Sequence, residues 1–298
     1  MNMNINSLYG SHARFDTGRP MTEDEIFQVA PSVFATTAHH SRSERFAPIA
    51  TIEAIRGLRA EGFEVVGARQ AVAKMDDKKA YTKHLLRLRR MDQQVTVGDT
   101  VAEMLLKNAN DGSSVYDLFA GLFRATCLNS MVAAIGNIDS VKVRHTGKDV
   151  VNKVIEGTYK VIENAKLALA APQDWAQMQM DRDERQAFAE AAHVLRFADA
   201  EGNVDTPIQP AQMLQIRREA DTQPNLWTVF NVIQENTIRG GLDGVHVNRE
   251  TGRQRHMHTR PINGIDQDVR LNRSLWTLAT RMAQLKGWKE PEPVAIAA

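Results

Sequence analysis

One segment of the chain carries basic side chains at the spacing of a β-strand. Residues 81–90 read YTKHLLRLRR. Because strand side chains alternate between two faces, Lys83, Arg87 and Arg89 share one face with Tyr81, and the leucines of the other face belong on a core. Cations neutralise phosphates and an aromatic ring stacks on a base, so this face predicts a track for single-stranded nucleic acid. The alternative is an ordinary solvated face of a sheet.

Neighbouring residues extend this basic region. The additional cations are Arg69, Lys74, Lys78 and Lys79. Arg69–Arg90 holds eight basic residues against two acidic ones, a net charge of +6, whereas Asp174–Glu201 holds seven acidic residues against three arginines, a net charge of −4. Such asymmetry predicts a basic surface patch with an acidic region elsewhere. Complementary segments of this kind also predict offset pairing between copies, into a ring or a filament.

A second basic cluster occupies residues 249–260, RETGRQRHMHTR. The turn residues within it predict a β-hairpin, and Arg253, Arg255 and Arg260 would lie at or near its tip. A basic hairpin can grip a phosphate backbone. The alternative is a solvent-exposed loop without a partner.

The residue types of a metal-dependent nuclease are present but poorly arranged. His256 and His258 form an H-x-H pair, and Asp266 and Asp268 a D-x-D pair. Imidazole and carboxylate suit a divalent metal, yet no H-E-x-x-H motif fixes them, and Asp266 reads as a helix N-cap. We therefore assign no catalytic or metal-binding residue. No cofactor is assigned either, since the chain lacks G-x-x-x-x-G-K-[ST] and G-x-G-x-x-G, which argues against an ATP-driven recombinase.

Composition narrows the class of protein. With 43% hydrophobic and 24% charged residues, the 298-residue chain is an ordinary soluble globular protein, and its net charge of +1 argues against a globally basic nucleic-acid coat protein. The single cysteine, Cys127, excludes an internal disulfide and is expected in the core. No apolar run is long enough to span a membrane and the polar start is no signal peptide, so a cytoplasmic protein is expected.

Periodicity and turn residues predict an alternation of strands and helices that becomes helical towards the C-terminus. The predicted strands are Phe63–Ala73, Tyr81–Arg90, Asp99–Asn108, Ser140–His145 and the two arms of the hairpin Val245–Thr259. The predicted helices are Thr51–Glu61, Ser114–Ile135, Asp149–Ala170, Asp181–Ala198, Leu226–Arg239 and Asp266–Lys286. This pattern predicts a sheet-and-helix core over residues 1–145, a helical region with the hairpin over 146–290, and a disordered tail over 291–298.

The segment Lys107–Ser130, KNANDGSSVYDLFAGLFRATCLNS, carries a family resemblance. Its pattern N-x-x-D-G-S-S, followed by F-R and then C-x-N, resembles a domain-of-unknown-function family of phage and plasmid-like proteins, family 932. The resemblance runs from about Ser11 to Lys286, nearly the whole chain. It implies a genomic context, phage or plasmid, rather than an activity.

A second resemblance is one of element order. A helix, a three-stranded meander and a long helix, from Thr51 to Ile135, resemble the β-β-β-α core of single-strand annealing proteins, the Red-beta-like phage recombinases and the eukaryotic double-strand-break-repair annealing protein. In that superfamily the core holds single-stranded DNA in a basic groove, and subunits assemble as rings or filaments. The fold class expected is α+β, with an annealing-protein-like core, a helical C-terminal region and a basic β-hairpin.

These observations favour a non-enzymatic protein that binds single-stranded DNA, and anneals it, without ATP in phage or plasmid recombination. Its partners would be single-stranded DNA and further copies of itself, with no membrane. Two alternatives stay open: a non-catalytic interaction protein that engages host defence or repair factors, and a metal-dependent nuclease.

Overall fold

The computed structural model of the chain describes residues 13–15, 19–40, 50–72, 78–92, 94–126, 129–133, 140–145, 149–247 and 251–292. The chain forms two compact units, residues 1–170 with 291–298 and residues 171–290. The division falls later than the predicted boundary at 145/146, because the helix Val150–Ala168 packs on the sheet of the first unit.

The first unit is built on an eight-stranded antiparallel sheet. Its strands are β1 (Ala13–Phe15), β2 (Phe63–Gln70), β3 (His84–Arg90), β4 (Thr96–Val97), β5 (Thr100–Asn108), β6 (Tyr116–Arg124), β7 (Asn129–Val132) and β8 (Val141–Val143). Six of them lie in the order β1-β2-β3-β5-β6-β7, while β4 pairs with β5 and β8 pairs with β6. Sequential strands are thus mostly neighbours, as in a meander.

Two helices, Thr51–Ala60 and Val150–Ala168, pack on one face of this sheet. The helices of the first unit are α1 (Glu23–Val29), α2 (Thr51–Ala60) and α3 (Val150–Ala168). Leu86 and Leu88 of β3 are fully buried on the helix-covered face, which confirms the predicted core face of that strand. Gly157 brings α3 close to the sheet, since a Cβ there would lie 2.8 Å from Leu118 Cδ1 of β6.

The predicted helix Ser114–Ile135 is wrong. Residues Tyr116–Arg124 form β6, which pairs with β5 on one side and with β7 and β8 on the other. All nine residues of β6 are buried, so its apolar side chains point to both faces of the sheet and show no alternation. A run of this kind fits an i, i+3, i+4 template as well as it fits a central strand. The β-β-β-α order predicted for the core is therefore absent, because a fourth long strand follows β5.

The second unit is mainly helical and carries a hairpin. Its helices are α4 (Ala170–Ala176), α5 (Arg182–Phe197), α6 (Leu226–Arg239) and α7 (Ile265–Leu285), and its hairpin strands are β9 (Asp243–Val247) and β10 (Gln254–His258). The first residue of α4 still belongs to the first unit. Every residue of α6 is buried, so α6 is the central helix of this unit. Trp175 of α4 contacts Phe230 of α6 and Trp276 of α7, with ring centroids 5.9 and 4.8 Å apart.

The α+β class with a helical C-terminal region and a hairpin is confirmed. The helices predicted at Thr51, Asp149, Asp181, Leu226 and Asp266 all form, with ends shifted by a few residues at most. The helix predicted from Asp181 begins with a capping box, since the Asp181 side chain accepts from the Glu184 amide and the Glu184 side chain accepts from the Asp181 amide. None of the helices in the described ranges is long and apolar enough to cross a membrane.

Candidate nucleic-acid interface

Arg87 and Arg89 of β3 do not lie on an open surface, so their predicted exposure is wrong. They are 3% and 4% exposed, and both bind the carboxylate of Glu103 on β5. Arg87 Nε and Nη2 donate to Glu103 Oε2 and Oε1 at 2.8 and 2.7 Å, and Arg89 Nε donates to Oε1 at 2.5 Å. The two guanidinium groups therefore already share an internal anion.

Strand register explains this burial. Arg87 lies opposite Leu105 of β5, which places Glu103 beside Arg89 on the same face. The ring of Phe123 on β6 covers both cations, with its centroid 4.1 Å from the Cζ of Arg87 and 4.9 Å from that of Arg89. Burial alone would raise the pKa of Glu103, but the two guanidinium groups hold that pKa below its usual value.

The other residues predicted for the track lie before β3 or on β2. Arg69 of β2 is also buried, at 7% exposure. Among the residues before β3, Lys79 is exposed while Lys78, Tyr81 and Lys83 are half-buried, and Lys74 lies outside the described residues.

The Tyr81 side chain is held by neighbours in the first unit. Its hydroxyl shares a hydrogen bond of 3.2 Å with Thr37 Oγ1, and its ring meets the ring of His39 edge-on at 5.6 Å. The Tyr81 ring is therefore already in contact with His39, which leaves less of its surface for stacking on a base.

Below the helices, a buried polar network links β3 and β5 to α2. His84 hydrogen-bonds through Nδ1 to Ser32 Oγ and through Nε2 to Thr51 Oγ1, each at 2.9 Å. Asn108 donates to Thr51 Oγ1 at 3.1 Å and shares a 2.7 Å bond with His145 Nε2. Burial lowers the pKa of His84 to about 3 and also lowers that of His145, so both imidazoles are neutral at physiological pH.

The hairpin of the second unit is an exposed two-stranded ribbon, as predicted. Eight of the ten strand residues of β9 and β10 are exposed. Cross-strand partners share a face, so Val245 and His256 lie on one face, and His246 and Arg255 lie on the other. An open groove of about 890 Å³ is lined by His246, Thr251, Arg253, Gln254 and Arg255. Arg253, Arg255 and Arg260 are all exposed, whereas Arg249 lies outside the described residues.

The base of this ribbon is closely bonded to the end of α6. Gly241 N donates to the Thr259 carbonyl at 2.8 Å, and Leu242 N donates to Thr259 Oγ1 at 2.8 Å. In return, the Leu242 carbonyl accepts from Thr259 N at 2.9 Å. Gly240 has φ 65°, and a Cβ there would lie 2.6 Å from the Thr259 carbonyl oxygen. Arg196 of α5 also donates to the Arg260 carbonyl at 2.7 Å. The ribbon is thus held at its base, where Gln212 also donates to the Asp243 carbonyl at 2.8 Å.

A buried ion cluster supports α6 just before this junction. Glu235 accepts two hydrogen bonds of 2.7 Å from Arg218 and pairs with Arg239 at 3.0 Å. Arg217 donates to the Gly240 carbonyl and to Asn236 Oδ1. These polar side chains were not predicted to be functional from the sequence. The feature that could have indicated them is an otherwise apolar helix that carries Gln, Glu, Asn and Arg in its last two turns.

The side chains considered for a nuclease are engaged elsewhere. His258 Nδ1 pairs with Asp243 Oδ1 at 2.7 Å across the hairpin, and Asp268 Oδ1 accepts from Asn272 at 2.6 Å. Asp266 is the second residue of α7 rather than its N-cap, which is Gly264. Within the part of the chain that the structure describes, no group of three or more His, Cys, Asp or Glu side chains could hold a metal ion.

The signature segment N-x-x-D-G-S-S joins β5 to β6. Asp111 accepts from the Ser113 amide at 2.8 Å, and Gly112 has φ 77°, as the tight turn requires. Asn110 donates to the Ala35 carbonyl at 3.0 Å. The segment therefore fixes a turn within the first unit, and Cys127 beyond it lies outside the described residues.

A family model described as a domain of unknown function (DUF932) matches residues 38–276. The chain belongs to this family. The DUF932 match extends over both units, from Ala38 to Trp276 of α7, and so includes the sheet strands from β2 onwards, α6 and the ribbon. The family resemblance predicted from the turn segment is thereby confirmed.

Two relatives of this DUF932 chain come from Escherichia coli strain K12. The UPF0380 protein YfjQ is 40% identical over 281 residues, which cover 94% of this chain and 98% of the relative. The UPF0380 protein YafZ is 40% identical over 273 residues, which cover 92% and 95%. No solved structure matches the chain. The resemblance to single-strand annealing proteins finds no support in these comparisons.

Proposed function

We propose that the protein binds single-stranded DNA through the exposed β9–β10 ribbon, as a non-catalytic and ATP-independent cytoplasmic protein of phage or plasmid recombination. The exposure of this basic ribbon, with its anchored base, is the observation that supports the proposal. Arg87 and Arg89, which are buried on Glu103, have no direct role in it.

The ribbon offers different chemistry on its two faces. Arg255 and His246 share one face and would contact phosphates, together with Arg253 just before β10. Val245 and His256 share the other face, which can pack on unstacked bases. A single strand presents both phosphates and bases, whereas a duplex keeps its bases stacked and exposes only their edges. This division favours a single-stranded ligand.

A preformed arm reduces the cost of binding. The bonds at the base of the ribbon fix its direction before a ligand arrives, so less conformational entropy is lost on association. Annealing would require two complementary strands to meet on neighbouring arms, which makes annealing a consequence of assembly rather than of one subunit.

The test is the salt dependence of binding to a short labelled oligothymidine, measured by fluorescence anisotropy. We expect the double variant Arg253→Ser with Arg255→Ser to bind more weakly, and its log–log salt slope to fall by about 1.4, since each lost phosphate contact on a single strand removes about 0.7. The matched control is Arg281→Ser with Lys289→Ser, which removes the same charge from exposed positions of the second unit outside the ribbon.

Unchanged affinity and slope in the folded Arg253→Ser, Arg255→Ser protein would refute the ribbon as the binding surface. Tighter binding to a duplex of the same length would instead identify a groove-reading arm, because a two-stranded ribbon also fits the major groove.

A further inference from the structure

A basic groove lies in the first unit, between the strand β8 and the helix α3. Its volume is about 380 Å³, and its charged lining residues are Lys142, Arg144, Lys153, Glu156 and Lys160. Arg144 and Lys153 lie at this groove beside the Glu156–Lys160 pair. Val141 contacts α3, so strand alternation places the Lys142 side chain on the other face of the sheet, beside Asp117. The side chains of β8 and of α3 were not selected as binding residues from the sequence, because their charges are far apart along the chain.

Helix geometry explains how the lysines of α3 meet in the groove. Lys153, Gly157 and Lys160 occupy positions i, i+4 and i+7, so they lie along one face of the helix. A Cβ at Gly157 would lie 2.9 Å from Val141 Cγ1 of β8, which shows that bare helix backbone rests against the strand. Lys153 and Lys160 therefore lie on either side of the point where the helix backbone meets Val141.

The positive charge of the groove is largely uncompensated. Glu156 is paired with Lys160 at 2.9 Å. Asp117 of β6 is the cross-strand neighbour of Lys142 and is paired with Lys107 at 3.4 Å. Three cations form no ion pair with any residue inside the described ranges: Lys142, Arg144 and Lys153. Like charges kept this close favour a multivalent anion.

We propose that this groove is a second phosphate-binding site, which takes the backbone of a single-stranded nucleic acid. The identity of this polyanion rests on the proposed function, whereas the site itself rests on the charges and the shape of the groove. An acidic peptide that adds to the edge of β8 would need pockets for its alternate side chains. Val141 and Leu118 already fill the space beside Gly157, so no pocket for a peptide side chain is left there, which favours a phosphate chain.

The experiment compares three variants in the oligothymidine assay. The groove variant is Arg144→Ser with Lys153→Ser, the ribbon variant is Arg253→Ser with Arg255→Ser, and the third combines both. We expect the groove variant alone to lower the salt slope by about 1.4 and the combined variant by about 2.8, at 0.7 for each phosphate contact. The control Lys166→Ser removes another lysine of α3, one that pairs with Glu163, and should leave the slope unchanged.

The outcomes separate the two proposals. A groove variant with parental affinity and slope, beside a weakened ribbon variant, overturns the groove and leaves the ribbon in place. Loss in the groove variant alone supports the groove and overturns the ribbon. Polyglutamate that binds in a groove-dependent manner more tightly than oligothymidine would overturn the nucleic-acid ligand in favour of an acidic protein. The charge-conserving variant Arg144→Lys with Lys153→Arg should retain binding, which would attribute the loss in the serine variant to the removed charge.

Discussion

Glu103 stabilises the sheet face that carries Arg87 and Arg89. Its carboxylate is fully buried and holds the two guanidinium groups of Arg87 and Arg89. Burying charges is costly, and removing one member of such a cluster leaves the others without compensation. The charge-assisted bonds to Glu103 are therefore structural, and they tie β3 to β5 in one register.

We expect Glu103→Gln to lower the free energy of unfolding by about 3–5 kcal/mol, because two buried guanidinium groups would lose their shared anion. Urea denaturation followed by circular dichroism measures this change. Glu23→Gln, which removes the carboxylate of an exposed pair with Arg56, is the matched control and should have little effect. Equal stability of the two variants would contradict a supporting role for Glu103.

His84 makes the stability of the first unit sensitive to acid. The folded-state pKa of about 3 lies below the ordinary value of 6.5, so the unfolded chain takes up a proton more readily. The contribution of neutral His84 to the free energy of unfolding is fully present above pH 6.5. It is lost as the pH falls from 6.5 towards 3, at about 1.4 kcal/mol per pH unit for one such group. The lowered pKa of His145 acts in the same direction.

Urea midpoints measured between pH 7 and pH 5 test this dependence, since this range lies above the ordinary carboxylate pKa values. We expect His84→Asn to be less stable than the parent at pH 7, because its hydrogen bonds to Ser32 and Thr51 are disturbed, but to lose less stability on acidification. Identical slopes in the variant and the parent would rule out His84 as the main titrating group.

At the scale of elements, local sequence signals determine where helices end but do not always distinguish a strand from a helix. The Asp181–Glu184 pair and the glycine after Arg239 are signals that lie within a few residues of the helix ends, so these ends were predictable. Tyr116–Arg124 was not, because its apolar run is buried on both faces by strands and helices that are distant in sequence.

The candidate site divides in the same way. The ribbon was predictable from turn residues at 248–252 and from the basic residues around them. The burial of Arg87 was not, because its partner Glu103 lies on another strand and becomes a neighbour only once the register is fixed. One carboxylate within the apolar strand TVAEMLLKN was the available signal. The groove between β8 and α3 likewise requires the packing of two elements.

The junction between α6 and the ribbon provides a prediction about an element. Gly240→Ala should lower stability by roughly 1–2 kcal/mol or more, since φ 65° disfavours a side chain and the new Cβ would meet the Thr259 carbonyl. It should also weaken oligothymidine binding by loosening the base of the ribbon. Gly252→Ala is a close control, because Gly252 has φ 66° but open space around it.

Thermal unfolding and anisotropy measure the two effects. A Gly240→Ala protein that matches Gly252→Ala in both stability and affinity would show that the contact with Thr259 does not hold the ribbon.

At the scale of the whole molecule, the distribution of charge is the basis for predicting assembly. The sequence combines a +6 segment with a −4 segment at a net charge of +1. The structure buries Arg69, Arg87 and Arg89 of the +6 segment, so less of its charge is available for a neighbouring copy. The exposed cations of the ribbon and the groove are further complements to the acidic region.

We predict a homo-oligomer larger than a dimer, a ring or a filament, either stable or induced by single-stranded DNA. The physical reason is that offset charge pairing is heterologous and repeats from copy to copy. Light scattering with and without oligothymidine measures the mass of the particle, which is compared with the 33.3 kDa of one subunit. A monomeric mass in both conditions would contradict assembly and would favour the interaction-protein alternative.

The open edges of the ribbon have a consequence for solubility. Among the described strands, β9 and β10 pair only with each other, and Val245 and Val247 are 41% and 49% exposed. Exposed valines beside unpaired strand edges promote edge-to-edge aggregation, and charges such as Arg253 and Arg255 act as gatekeepers against it. A polyanion that neutralises these arginines would remove this protection where it is bound. Ribbons of adjacent copies on one strand could then pair edge to edge, which would couple ligand binding to self-association.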